Sequence, residues 1–168
     1  MHIRTTFTFA ATLGLGALST AMAGPTGGVV VSGQGSISTP STNTTVIDQS
    51  SQQLNVNWNT FNVAANENVQ FHQPTSSSVA FNRILDQNPS QIFGRIDANG
   101  KVVLVNPNGL LIGRSAQLNV NSLVVSSLDA IDFDAASGRY RFSTNRLDPG
   151  AVINEGSITA GPGGSVTQ

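Results

Sequence analysis

Few side chains in this 168-residue chain could do chemistry. His72 is the only histidine besides His2, and there is no cysteine, so a transition-metal cage or a His-based nucleophilic triad lacks its parts. Acids crowd in one place, at Asp129, Asp132 and Asp134. On a strand, Asp132 and Asp134 would share a face about 7 Å apart, a separation an inverting glycosidase could use. The same acids could ligate Ca²⁺. The Ala135-Ala136-Ser137-Gly138 that follows reads instead as a solvated turn. Trp58 falls on an inward position of an alternating run, whereas sugar stacking would need it exposed, so it is assigned to the core. No catalytic, metal or cofactor residue is assigned, and no cofactor is expected.

Asn106-Pro107-Asn108-Gly109 is the remaining candidate, as a recognition element or simply a corner. It lies between Lys101-Val102-Val103-Leu104-Val105 and Leu110-Leu111-Ile112-Gly113, two apolar runs too short for ordinary helices. Pro107 suits the second position of a type I turn, with Asn106 first and Gly109 fourth; a type II turn would want glycine where Asn108 sits. The stretch is thus strand, tight corner, strand. β-Branched residues at 108 or 109 are expected to damage it, because such corners often need positive φ.

The surrounding chain supplies more strands of the same kind. Leu54-Asn55-Val56-Asn57-Trp58-Asn59 alternates apolar and polar residues, and Phe61-Asn62-Val63 resumes the pattern. Val69-Gln70-Phe71-His72 alternates again and turns His72 away from the apolar face. Val79-Ala80-Phe81-Asn82-Arg83-Ile84-Leu85, Leu118-Asn119-Val120-Asn121 and Leu123-Val124-Val125-Ser126-Ser127-Leu128 read as further strands, with weaker ones at Val29-Val30-Val31 and Gly35-Ser36-Ile37. Residues 129–138 read as a corner or excursion. Charged residues make up only 10%, against about a quarter in ordinary globular domains. With a net charge of −1 and no basic patch, no nucleic-acid partner is expected.

Two further patterns bear on organisation. Residues 1–6 carry Arg4 and no acid, residues 7–18 are apolar, and Ala21-Met22-Ala23 precedes Gly24-Pro25. That is a Sec-type signal peptide over 1–23, cleaved after Ala23; its apolar run is too short to span a bilayer. Gly94-x-Ile96-x-Ala98 reappears as Gly156-x-Ile158-x-Ala160, 62 residues on, which divides into three turns of about 21 residues. Short strands, Asn/Gly corners and this repeat predict an all-β solenoid whose N-terminal strands cap one end. Nothing after Ile158 reads as a second cap, so 24–168 is expected to be the N-terminal part of a longer coil.

Val46-Ile47-Asp48-Gln49, Leu54-Asn55-Val56-Asn57-Trp58, Phe61-Asn62-Val63, Val69-Gln70-Phe71 with Gln73-Pro74, Asn82-Arg83-Ile84, Asn88-Pro89-Ser90-Gln91-Ile92-Phe93-Gly94 and the Asn106-to-Gly109 corner together resemble the filamentous haemagglutinin N-terminal domain. This is the two-partner secretion (haemagglutination activity) domain of Gram-negative exoproteins. The resemblance implies a right-handed parallel β-helix over 24–168. It implies one partner, an outer-membrane β-barrel transporter with periplasmic POTRA domains, through which the chain reaches the cell surface or the extracellular space. Asn106, Pro107, Asn108 and Gly109 match the family's NPNG-type motif; the additional Asn-Pro-Asn-Leu motif of some members is missing, and the chain is similar to the branch with the Trp58/Phe61 block.

The function expected is therefore secretion targeting of an adhesin- or haemagglutinin-like exoprotein, whose downstream regions would meet host-cell glycan or protein. The alternatives are a free-standing adhesive module, which would show an exposed aromatic or polar groove, and a polysaccharide-degrading β-helix enzyme, which would cluster acids and bases on one flank.

Overall fold

A short strand can satisfy its backbone amides only through neighbours on both sides. The computed structural model, which describes residues 24–134, 139–143 and 146–168 with the side chains of 130–140 excepted, meets this need by winding the chain into a solenoid. No helix occurs among the described residues.

Three sheets form the walls. The first holds, in order, β1 (Val29–Ser32), β4 (Gln53–Trp58), β6 (Val79–Ile84), β9 (Lys101–Val105), β12 (Ser122–Ser126) and β17 (Val166–Thr167). The second holds β2 (Gly35–Ser41), β3 (Thr44–Gln49), β5 (Asn68–His72), β8 (Arg95–Ala98), β11 (Gln117–Val120) and β16 (Ser157–Ala160). The third holds β7 (Ser90–Ile92), β10 (Leu110–Ile112) and β15 (Val152–Asn154). From β6 onward each full turn takes one strand from each wall, while the turn before it reaches the third wall only through a bridge at Val63. Pairing is parallel throughout the coil, except that β1 meets β4 and β2 meets β3 antiparallel. These two strands close the N-terminal end, as expected. At the other end β15, β16 and β17 each pair on one side only among the described residues.

Register turns alternation into ladders. Leu54, Ala80, Val102 and Leu123 stack along the first wall, and Val56, Asn82, Leu104 and Val125 form the next ladder. Val69, Ile96, Leu118 and Ile158 stack along the second. Nearly all of these side chains are fully buried, each aliphatic contributing about 1.5–3 kcal/mol. Trp58 is buried as the alternation required; it packs edge-on to Phe61 and donates its indole N–H to Asn82 Oδ1 at 2.9 Å. Phe61 and Val63 are buried but form no strand: Val63 makes an isolated parallel bridge to Ile92.

One expectation changes and another is narrowed. Gly94 and Gly156 lie two turns apart rather than three, because Arg95 pairs with Gln117 and Gln117 with Ser157. The longer second turn includes the segment read as a corner or excursion, and it is an excursion. Its residues form β13 (Asp129–Asp134), paired antiparallel with β14 (Arg139–Ser143) as a hairpin outside the coil. Phe142 packs with Phe81 and Val124 against Val79, Val103 and Val105, so the hairpin covers apolar residues on the outer face of the first wall.

Where the second wall meets the first, the corners are joined by buried amides. Gln73 Nε2 donates to Gln49 Oε1, to Ser78 O and to Lys101 O, at 3.1–3.3 Å, while its Oε1 accepts the Gly100 N–H at 3.0 Å. A β-carbon on Gly100 would lie 2.7 Å from that side chain, so the next turn must have glycine there. Gln73→Ala strands these buried groups and is expected to lower unfolding free energy by about 2–3 kcal/mol, read from urea denaturation. An unchanged midpoint would show that the amide ladder adds nothing.

Candidate functional site

The corner between the first and third walls is built around Asn106. β9 ends there, and the Asn106 N–H donates to Ser126 O of the next turn at 3.0 Å. The side chain is fully buried. Its Nδ2 donates to Asn88 O and Ser90 Oγ of the preceding turn, both at 3.0 Å, and its Oδ1 accepts the Asn108 N–H at 2.9 Å. The Asn106 carbonyl accepts the Gly109 N–H at 2.9 Å, closing the turn. Asn108 keeps negative φ and Gly109 takes +106°, so the turn is not type II and agrees with the type I reading. The positive-φ argument consequently applies to Gly109 and not to Asn108.

Asn108 matters through its amide instead. Nδ2 donates to Asp86 O at 2.6 Å, and Oδ1 accepts Arg146 Nη1 at 3.0 Å. Pro107 O accepts the Gly150 N–H at 3.0 Å, and a β-carbon on Gly150 would collide with the Asn108 backbone at 2.1 Å. The motif is thus clamped between the turns before and after it. Sequence reasoning took it as one corner, whereas it is the middle of three. Asn88-Pro89 precedes Ser90, and Asp148-Pro149-Gly150 precedes Val152, while Ser90, Leu110 and Val152 are register partners. The signal was available: an Asx-Pro pair before each strand of the third wall.

Around the clamp lies a shallow concavity lined by Arg83, Leu85, Asp86, Pro107, Asn108, Asp129 and Arg146, with Leu85 53% exposed. Arg83 Nη2 is 3.6 Å from Asp129 Oδ1. These residues offer paired charges, amide groups and an exposed aliphatic side chain, a surface suited to polypeptide rather than to bond making. Arg83, Asp86 and Arg146 had no local motif to mark them, since stacking alone brings them together.

The other candidates fare differently. Asp132 and Asp134 are the register partners of Arg141 and Arg139 in the hairpin, and the side chains of both acids lie outside the described residues. His72 is exposed as expected, with Nδ1 2.8 Å from Asp48 Oδ1, and the nearby concavity contains no hydroxyl or thiol. On the same outer face burial raises the Asp97 carboxyl, but donors from Arg95 and Asn119 outweigh that and hold it below its ordinary range. Among the described residues no three His, Cys, Asp or Glu side chains gather as metal ligands. Ala23 lies outside the described residues.

The coil, its capped N-terminal end and this corner define a capped parallel β-solenoid. Residues 21–168 match the model of the TPS secretion domain family, and the chain belongs to that family, the secretion domain of two-partner exoproteins. The heme/hemopexin-binding protein of Haemophilus influenzae strain Rd is 38% identical over 135 residues, covering 80% of this chain and 15% of that protein. A second H. influenzae heme/hemopexin-binding protein is 38% identical over 110 residues, covering 66% of this chain and 12% of its own length. The crystal structure of the HMW1 secretion domain from H. influenzae superposes with a TM-score of 0.76 at 35% identity, over 86% of this chain and 38% of that one. The chain therefore spans about a seventh or less of the curated relatives it matches.

Gly109→Val is expected to cost about 2–4 kcal/mol, from strain at positive φ and from the 2.7 Å approach of Ala151 O to any β-carbon. Asn108→Ile should cost less, about 1–2 kcal/mol, by removing amide bonds without forcing φ. Equal losses in denaturant titrations of the two variants would contradict this assignment of strain.

Proposed function

We propose that residues 24–168 are the address by which a larger exoprotein is exported, read in the periplasm by the POTRA domains of its outer-membrane β-barrel transporter. The leader over 1–23 brings the chain across the inner membrane by the Sec route and is cut after Ala23. The domain then starts a right-handed β-helix outside the cell, a hand supported by the general preference of parallel crossovers. Activities of the exported protein, including any contact with host glycan or protein, reside downstream.

The observation that carries this reading is the match of residues 21–168 to the TPS secretion domain, on a parallel coil whose N-terminal end is closed by antiparallel β1 and β2. Further turns can be laid only at the end away from this cap. Folding outside the membrane, one turn on the last, supplies free energy that keeps export moving. The concavity around Asn108 supplies the recognition surface, with Asn106, Pro107 and Gly109 holding its shape.

Binding of the leaderless protein to purified POTRA domains of the transporter encoded beside it should be saturable. Arg146→Ala and Leu85→Ala alter exposed side chains, so each should weaken binding about tenfold, or about 1.4 kcal/mol, while leaving the fold intact. Absence of binding by the folded protein would favour a free-standing adhesive module. Undiminished binding by both variants would move the recognition surface elsewhere on the coil.

A further inference from the structure

Glu67 is a carboxylate without a counter-ion among the described residues. It is 9% exposed, and its one side-chain hydrogen bond there is from the Ala64 N–H to Oε2 at 2.7 Å. A buried ionised carboxylate needs more than one amide donor, because its desolvation is otherwise poorly compensated. Beside it, Asn68 Oδ1 is buried with no hydrogen-bond partner among the described residues. Both residues line one cavity at the capped end of the coil, together with Gly24, Thr26, Asn43 and Thr45. Among the described residues no protein donor reaches Glu67 Oε1 or Asn68 Oδ1.

Gly24 is held against this cavity. Thr26, two residues on, is tied to the first turn: its N–H donates to Thr60 O at 2.9 Å, and the two threonine hydroxyls are 2.7 Å apart. Gly24 is itself buried, and a β-carbon built on it lies 3.3 Å from Glu67 Oε1. Backbone geometry then places the Gly24 nitrogen within about 6 Å of that oxygen, close enough for a change of Glu67 rotamer to bring them into contact. In the leader-bearing chain that nitrogen is a neutral amide with a single N–H. Once the bond to Ala23 is hydrolysed it becomes an ammonium with a full charge and three donors.

We propose that Glu67, with Asn68 beside it, forms a binding site for a primary ammonium, and that its ligand is the α-amine of Gly24 released by leader removal. Processing thereby creates the counter-ion that the capped end lacks, and fastens residues 24–26 to the first turn. This inference rests on the reading that the leader is cut after Ala23, and it is independent of transporter recognition.

The chain exported from a host with its leader is first weighed by intact mass spectrometry, which should give a protein beginning at Gly24. Any other start overturns both the leader reading and this inference. Four forms beginning at Gly24 are then unfolded in urea at pH 6: α-amine free or acetylated, each as wild type or as Glu67→Gln. The substituted amide can still accept the Ala64 N–H through its carbonyl oxygen, so the variant removes charge while keeping the turn. The free, wild-type form should have an unfolding constant about tenfold lower than each of the other three, and those three should agree within about twofold. Acetylation that acts equally on wild type and Glu67→Gln, or on neither, overturns the ion pair while leaving the cleavage site intact. Should Glu67→Gln fail to fold, acetylation of the wild-type chain decides alone, and an unchanged unfolding constant refutes the site.

Discussion

Parallel, in-register stacking is the interaction on which the rest of this structure depends. Along the coil each strand lies between its equivalents in adjacent turns, so a corner that drifted by one residue would turn a ladder of apolar side chains outward. The corners must therefore superimpose. They do so through amides that join one turn to the next: Gln73 binds groups of its own turn and of both neighbours, and Asn106 binds Asn88 and Ser90 behind it and Ser126 ahead. These side chains are buried without being apolar, which accounts for a chain with few charges and many Asn and Gln residues that still folds around a core.

The same constraint explains the cap. An unpaired parallel edge invites another strand, and at the N-terminal end of the coil antiparallel β1 and β2 close that edge. The hairpin of β13 and β14 is inserted where a turn would otherwise close, lengthening it from 22 to 40 residues without disturbing the register of β15 and β16. A solenoid accepts such insertions because only the strand segments, not the connections, must match the neighbouring turn.

Alternation made the strands legible: Leu54, Val56 and Trp58 point inward, His72 points outward, and the type I corner at Asn106 followed from its residues. The family could be recognised because those strands and corners recur in a fixed order. What the alternation did not reveal was the outer face of the first wall. Val79, Val103 and Val105 are covered by a hairpin whose first half read as an acidic corner or excursion, with nothing to say which face it would lie on. The turn count was also misjudged, because a repeat spacing contains no mark of where an insertion interrupts it.

The sequence by itself determined the local geometry, since strand period, turn type and inward or outward placement depend on a few consecutive residues. Only the tertiary structure decided which residues meet across turns. Arg83, Asp86, Asn108 and Arg146 gather at one concavity, and Glu67 meets Gly24, because the coil superimposes positions tens of residues apart. Those meetings depend on the length of every intervening turn, a sum over the whole chain that no local pattern contains.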